Sequence, residues 1–232
     1  MTILLMACCG ILGTQAQTIK TGDKFWDGRA LYTVQEVRMG TIVYMTTAQD
    51  DELTLEKVAG KAGEYKIIPS RQAEDCPIGF AEFGWRVQYI RQDGMNFLAV
   101  RKPSGDAMWT MVLTPDNEEN CEAQQETLAK ANWEDVVTNT LLNTPYLMYI
   151  PREQLRLMRN EILARHGYVF KSKDLRDYFS KKWWYKPGKN NGAIKLNIIE
   201  QTNVELIKSE EAKEPGLHPA DVAGDVDQSD VE

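Results

Sequence analysis

Hydrophobic positions recur with two different periods along this chain, and the change falls near residue 115. Before it, apolar and polar residues alternate in short runs at 31–37, 42–45, 85–89, 96–101 and 108–113. A spacing of two turns one face of an extended strand inward. The runs are joined at Asp27-Gly28, Met39-Gly40, Asp93-Gly94 and Ser104-Gly105, and Asp-Gly is the strong hairpin signal among them because those residues tolerate the positive φ of a tight reversal. About seven or eight such strands in this span predict a small antiparallel barrel or sandwich. Trp26, Tyr32, Tyr44, Trp85, Tyr89 and Trp109 fall within or beside these runs. At alternating spacing they read first as core residues, with a ligand-binding face as the other reading.

After residue 115 the period lengthens. Residues 116–150 form a polar connector in which Leu128, Val136, Val137, Leu141 and Leu142 are loosely spaced for helices, and Thr144-Pro145 and Ile150-Pro151 punctuate its end. From Arg152 to His166, Leu155, Met158 and Ile162 make one helical stripe. Gly167 stands where a helix takes a left-handed residue after its last turn, and Arg165 and His166 complement the carbonyl end of the helix dipole. Ser172 is placed to cap a second helix through Leu175, Tyr178 and Phe179, closed by Trp183-Trp184-Tyr185 and Pro187. A third helix runs from Leu196 to about Lys213 on Ile198, Ile199, Val204, Leu206 and Ile207. The fold class is therefore α+β: a β-rich domain over 17–115, the connector 116–150, and a helical module over 151–213. Residues 214–232 offer almost nothing to bury and are expected to form a disordered acidic tail.

The order of residues in the module carries a resemblance. Arg159-Asn160-Glu161-Ile162 precedes Ala164-Arg165-His166-Gly167-Tyr168-Val169-Phe170, followed by Asp174-Leu175, Tyr178-Phe179, Trp184-Tyr185 and Pro187. This pattern over residues 155–208 resembles the YARHG domain of bacterial extracytoplasmic proteins. Leu163 stands where the family's name carries tyrosine, preserving an apolar contact without a phenol. The resemblance implies an exported protein and a small helical module. It implies no catalytic residues.

The amino-terminal residues agree with export. An apolar run at residues 3–13, too short to span a bilayer, leads into Thr14-Gln15-Ala16, which reads as a signal peptide over 1–16. The alternative is a lipoprotein acylated at Cys8, since Leu5-Met6-Ala7-Cys8 resembles a lipobox. The expected location is extracytoplasmic, periplasmic or secreted, with no transmembrane helix in the mature chain. In that oxidising setting Cys76 and Cys121 are candidates for a disulfide, with two separate buried thiols as the alternative.

Charge changes the picture once it is divided. The net charge is −7, but six acids and no Lys or Arg follow Lys213, so the body is close to neutral. Between Arg152 and Lys189, eleven Lys and Arg face four Asp and Glu. Interleaved with aromatic residues, these cations could hold an anionic envelope polymer; the competing reading is a solvated face. Candidate binding residues are Arg159, Arg165, His166, Tyr168, Lys171, Trp184 and Tyr185. Export makes nucleic acid an unsuitable partner. No metal-ligand spacing, cofactor loop or catalytic constellation is present in the sequence. His166 lies five residues from Glu161, a poor spacing for a helical pair, so a helix-capping role is the expectation for it. The function expected is a non-enzymatic binding or envelope-associated protein, the alternative being an envelope hydrolase with its active site in the β-rich domain.

Overall fold

Eight strands follow one another around a closed antiparallel barrel, each paired with its sequence neighbours and β1 with β8. They are β1 (Lys24–Trp26), β2 (Leu31–Arg38), β3 (Ile42–Thr46), β4 (Glu52–Lys57), β5 (Glu64–Ile68), β6 (Arg86–Gln92), β7 (Met95–Arg101) and β8 (Ala107–Leu113). The computed structural model describes residues 18–69, 85–92, 94–105 and 107–213. The expected signal peptide with Cys8, the candidate cysteine Cys76, Asp93 of the third turn and the acidic tail lie outside the described residues.

Closure removes the strand edges that an open sheet would leave unpaired. The β2–β3 reversal falls at Met39-Gly40 as expected, with Gly40 at φ +68° and Met39 at φ +52°, a conformation uncommon for a residue with a side chain. Phe25, Met45, Leu55, Val87, Leu98 and Met111 are fully buried and fill the barrel. One strand breaks the alternation. Phe97, Leu98, Ala99 and Val100 of β7 are all buried, because Leu98 and Val100 face the barrel while Phe97 and Ala99 pack against Leu141 and Ile199 outside it. A continuous apolar run marks a strand covered on both faces.

The cover is helical. The helices are α1 (Glu118–Lys130), α2 (Trp133–Val136), α3 (Thr144–Leu147), α4 (Arg152–Arg165), α5 (Lys173–Phe179) and α6 (Ile198–Glu211). Leu142, Leu147, Leu155, Met158, Ile162 and Leu206 share one core, which also takes in Ala107 of β8. Polar contacts stitch the same seam: the Thr110 hydroxyl donates to the Leu142 carbonyl at 2.7 Å, Thr144 to Met108 at 3.0 Å, and Ser209 to Ala107 at 3.1 Å. Arg101 of β7 pairs with Glu205 of α6. At the centre, the fully buried Asn203 accepts from the Leu142 N–H at 2.9 Å and donates to the Val137 and Thr140 carbonyls at 3.0 and 2.8 Å. One side chain thus satisfies an irregular stretch of backbone that would otherwise be buried unpaired.

One local expectation is corrected. Ser172 occupies the N-cap position of α5 but makes no capping bond, because its hydroxyl is drawn to the Asp174 carboxylate instead. Cys121 is a free thiol, 2 % exposed on the inner face of α1, and no disulfide forms among the described residues. Burial pushes its thiol pKa up, as expected of a packed thiol shielded from solvent.

Candidate functional site

The carboxyl end of α4 organises the helical module. His166 ends the helix, Gly167 takes φ +76°, the Gly167 N–H returns to the Ala164 carbonyl at 2.8 Å and the Tyr168 N–H to that of Leu163 at 3.0 Å. These two bonds make a Schellman turn. Leu163 serves it through its carbonyl, so the residue at that position needs no phenol. Gly167 has a second constraint, since a Cβ there would meet the Lys186 carbonyl at 2.8 Å, and its own carbonyl accepts from the Gly188 N–H at 2.7 Å.

His166 then reaches α6. Its Nε2 lies 2.8 Å from Glu200 Oε1, while the other Glu200 oxygen accepts from the Asn197 N–H at 2.9 Å and Asn197 returns the bond, a complete capping box. His166 therefore joins the end of one helix to the start of another. Arg165 donates to Glu161 at 2.8 Å and lies over the Trp184 ring at 3.9 Å. Glu161 is fully buried, and burial pushes its carboxyl pKa up against the pull of Arg165. Phe170 stacks on Phe179 at 4.9 Å, and the Tyr185 hydroxyl donates to the Tyr168 carbonyl at 2.6 Å.

The structure thus gathers Arg165, His166, Tyr168, Trp184 and Tyr185 around the Gly167 turn, each with a partner inside the fold. Arg159 is engaged elsewhere, its Nε and Nη2 donating to the Glu211 carboxylate of α6. Lys171 is exposed and its ammonium has no hydrogen-bond or ion-pair partner among the described residues.

A different concavity lies on the barrel–helix seam. A cavity of 520 Å³ is bounded by Trp26, Arg29, Trp133, Tyr146 and Tyr149, with Glu122, Gln125 and Glu126 of α1 along one side. A second, of 370 Å³, opens at the barrel mouth between Tyr32, Trp85, Trp109 and Asp51. Both share Arg29 and Pro145. The turn between them is rigid: Asp27 Oδ1 accepts from the Arg29 and Ala30 N–H groups, each at 2.7 Å, and Oδ2 from Trp109 Nε1 at 3.2 Å. Burial pushes the Asp27 pKa up in spite of these donors. A Cβ at Gly28, φ +97°, would strike the Asn143 amide at 2.5 Å. That amide is itself clasped by Gln125.

The order of side chains along α4, the Gly167 turn and the aromatic lid decides the kinship of this part of the molecule. Residues 131–212 match the YARHG domain family. No curated protein and no solved structure matches the chain. YARHG domains occur in extracytoplasmic proteins and have no established function. No helix among the described residues is long and apolar enough to cross a membrane.

The YARHG match begins upstream of α4 and takes in α2 and α3, whose Val136, Tyr146 and Leu147 belong to the same core as α4 and α6. The seam residues went unrecognised in the sequence for a physical reason. Arg29, Glu122, Trp133 and Tyr149 come from four separate segments, and no local spacing relates them. Trp26, Tyr32, Trp85 and Trp109 carried the one available signal, aromatic residues whose position admits either a core or a ligand face.

Proposed function

We propose that the chain is an extracytoplasmic, non-enzymatic binding protein that holds an anionic envelope polymer on the outer face of its YARHG domain. The observation that carries this reading is Trp183, 91 % exposed, in a segment where Lys171, Lys181, Lys186 and Lys189 have no partner among the described residues. Other cations of the module already have carboxylate partners: Arg156 with Asp174, Arg159 with Glu211, Arg165 with Glu161, Lys173 with Asp177 and Lys182 with Glu134. What remains is a smaller set of free ammonium groups beside an open indole. Such groups meet phosphate or carboxylate as point charges, and the ring offers an apolar face to a sugar.

Two features favour binding over hydrolysis. The barrel interior is filled by side chains, and among the described residues the buried acid beside the barrel, Asp27, has both oxygens occupied by donors that hold its turn. The test uses the full chain on immobilised lipopolysaccharide and lipoteichoic acid. Binding is expected to weaken as salt rises, and the triple variant Lys181→Glu, Lys186→Glu, Lys189→Glu is expected to lose about tenfold or more in affinity. Binding indifferent to both salt and the triple variant would overturn the reading.

A further inference from the structure

The barrel–helix seam differs in chemistry from the lysine face. Four carboxylates border its two cavities, Asp27, Asp51, Glu122 and Glu126, against the single guanidinium of Arg29. A polyanion would meet repulsion there. The rings define what fits instead. Trp26, Trp133 and Tyr149 border the larger cavity, and Tyr32, Trp85 and Trp109 the smaller, so aromatic rings line both of two cavities that share Arg29 and Pro145. Tyr149 is 68 % exposed, a ring displayed at the rim without contributing to the core. Beside the rings stand planar groups with fixed donor and acceptor directions, Gln125, Gln154 and Arg29. The only hydrogen-bond acceptor of the Arg29 side chain among the described residues is the Met148 thioether at 3.9 Å, which leaves its stronger donors for a ligand.

We propose that this seam is a binding site for a short, uncharged oligosaccharide. A pyranose ring presents axial C–H groups that lie on aromatic faces, and neighbouring hydroxyl pairs that match carboxylate, amide and guanidinium groups in the plane of the ring. The cavities fall in the range of about 300–1,000 Å³ typical of small-ligand sites. Their shared boundary at Arg29 and Pro145 sets two adjoining subsites, one between barrel and helices and one at the barrel mouth. Asp27 holds the connecting turn, and the Asn143–Gln125 clasp fixes the opposite wall. The site is thereby formed before a ligand arrives, which lowers the ordering cost of binding. This inference uses none of the residues of the lysine face and stands independently of that reading.

Titration of the full chain with neutral tetrasaccharides of glucose, mannose and N-acetylglucosamine, followed by tryptophan fluorescence and calorimetry, tests it. At least one is expected to bind with Kd below about 1 mM, with little dependence on salt. Tyr149→Ala, at an exposed ring, and Arg29→Ala are each expected to weaken that binding by about tenfold or more. A hyaluronan tetrasaccharide, carrying carboxylates, is expected to bind more weakly. Failure of every neutral tetrasaccharide overturns the proposal, as does binding that both variants leave intact or a preference for the anionic probe. Loss of polymer binding at the lysine face would leave these results unchanged.

Discussion

At the scale of single residues, Gly167 and Glu161 carry the sharpest consequences. Gly167→Ala would place a side chain at positive φ and drive its Cβ into the Lys186 carbonyl. We expect a loss of about 2 kcal/mol or more, read as a lowered urea midpoint with the slope retained. Glu161 acts through pH. Its folded-state pKa is raised, so its contribution to stability is fully present below the ordinary carboxylate range and is lost as pH rises through the folded value. Glu161→Gln keeps an acceptor for Arg165 and removes the titration. Relative to the parent, this variant should therefore be more favourable at about pH 7 than at about pH 4, a difference that paired urea titrations would show. A constant offset at both pH values would refute it. His166→Ala should cost about 1 kcal/mol by removing the bond to Glu200, without altering polymer or saccharide binding. The Gly167 turn was legible because a Schellman motif is written within a few consecutive residues. The partner of His166 was not, since Glu200 lies 34 positions away.

At the scale of elements, the β2–β3 and β6–β7 hairpins and the helices α4, α5 and α6 followed from local pattern, whereas β4, β5, α2 and α3 did not. A four-residue helix has too few turns to show a period, and each is started by an asparagine cap: Asn132 accepts from the Glu134 N–H and Asn143 from that of Tyr146. Both are held by packing and by Asn203. Asn203→Ala should therefore cost about 3 kcal/mol, because it strips partners from two buried backbone groups and one half-buried one of the connector. Chemical denaturation would measure the loss, and hydrogen exchange should quicken around residues 137–142. Arg159 and Glu211 join α4 to α6 through a half-buried, two-donor pair. A double-mutant cycle should return a coupling of about 1 kcal/mol; zero coupling would show that the two helices are held by their apolar core alone.

At the scale of the whole molecule, barrel and helices share their interior. Phe97 and Ala99 of β7 and Ala107 of β8 are buried by residues from the helical part, so neither half covers its own apolar surface. Unfolding is expected to be a single transition, with tryptophan fluorescence, to which both parts contribute, and the helical and strand bands of circular dichroism changing together. Separated transitions would contradict the shared core. The same seam that couples the two parts creates the cavities, which is why binding chemistry appears there with no motif to announce it. The α+β class, the change from strands to helices near residue 115, the helix-ending turn and the YARHG resemblance were determined by the sequence alone, because periodicity, turn residues and caps act between near neighbours. Closure of the sheet into a barrel, the pairing of His166 with Glu200, of Arg159 with Glu211 and of Lys182 with Glu134, and the union of Arg29 with Trp133 and Tyr149 were decided only by tertiary structure. Each joins groups far apart along the chain, and only packing brings them within reach.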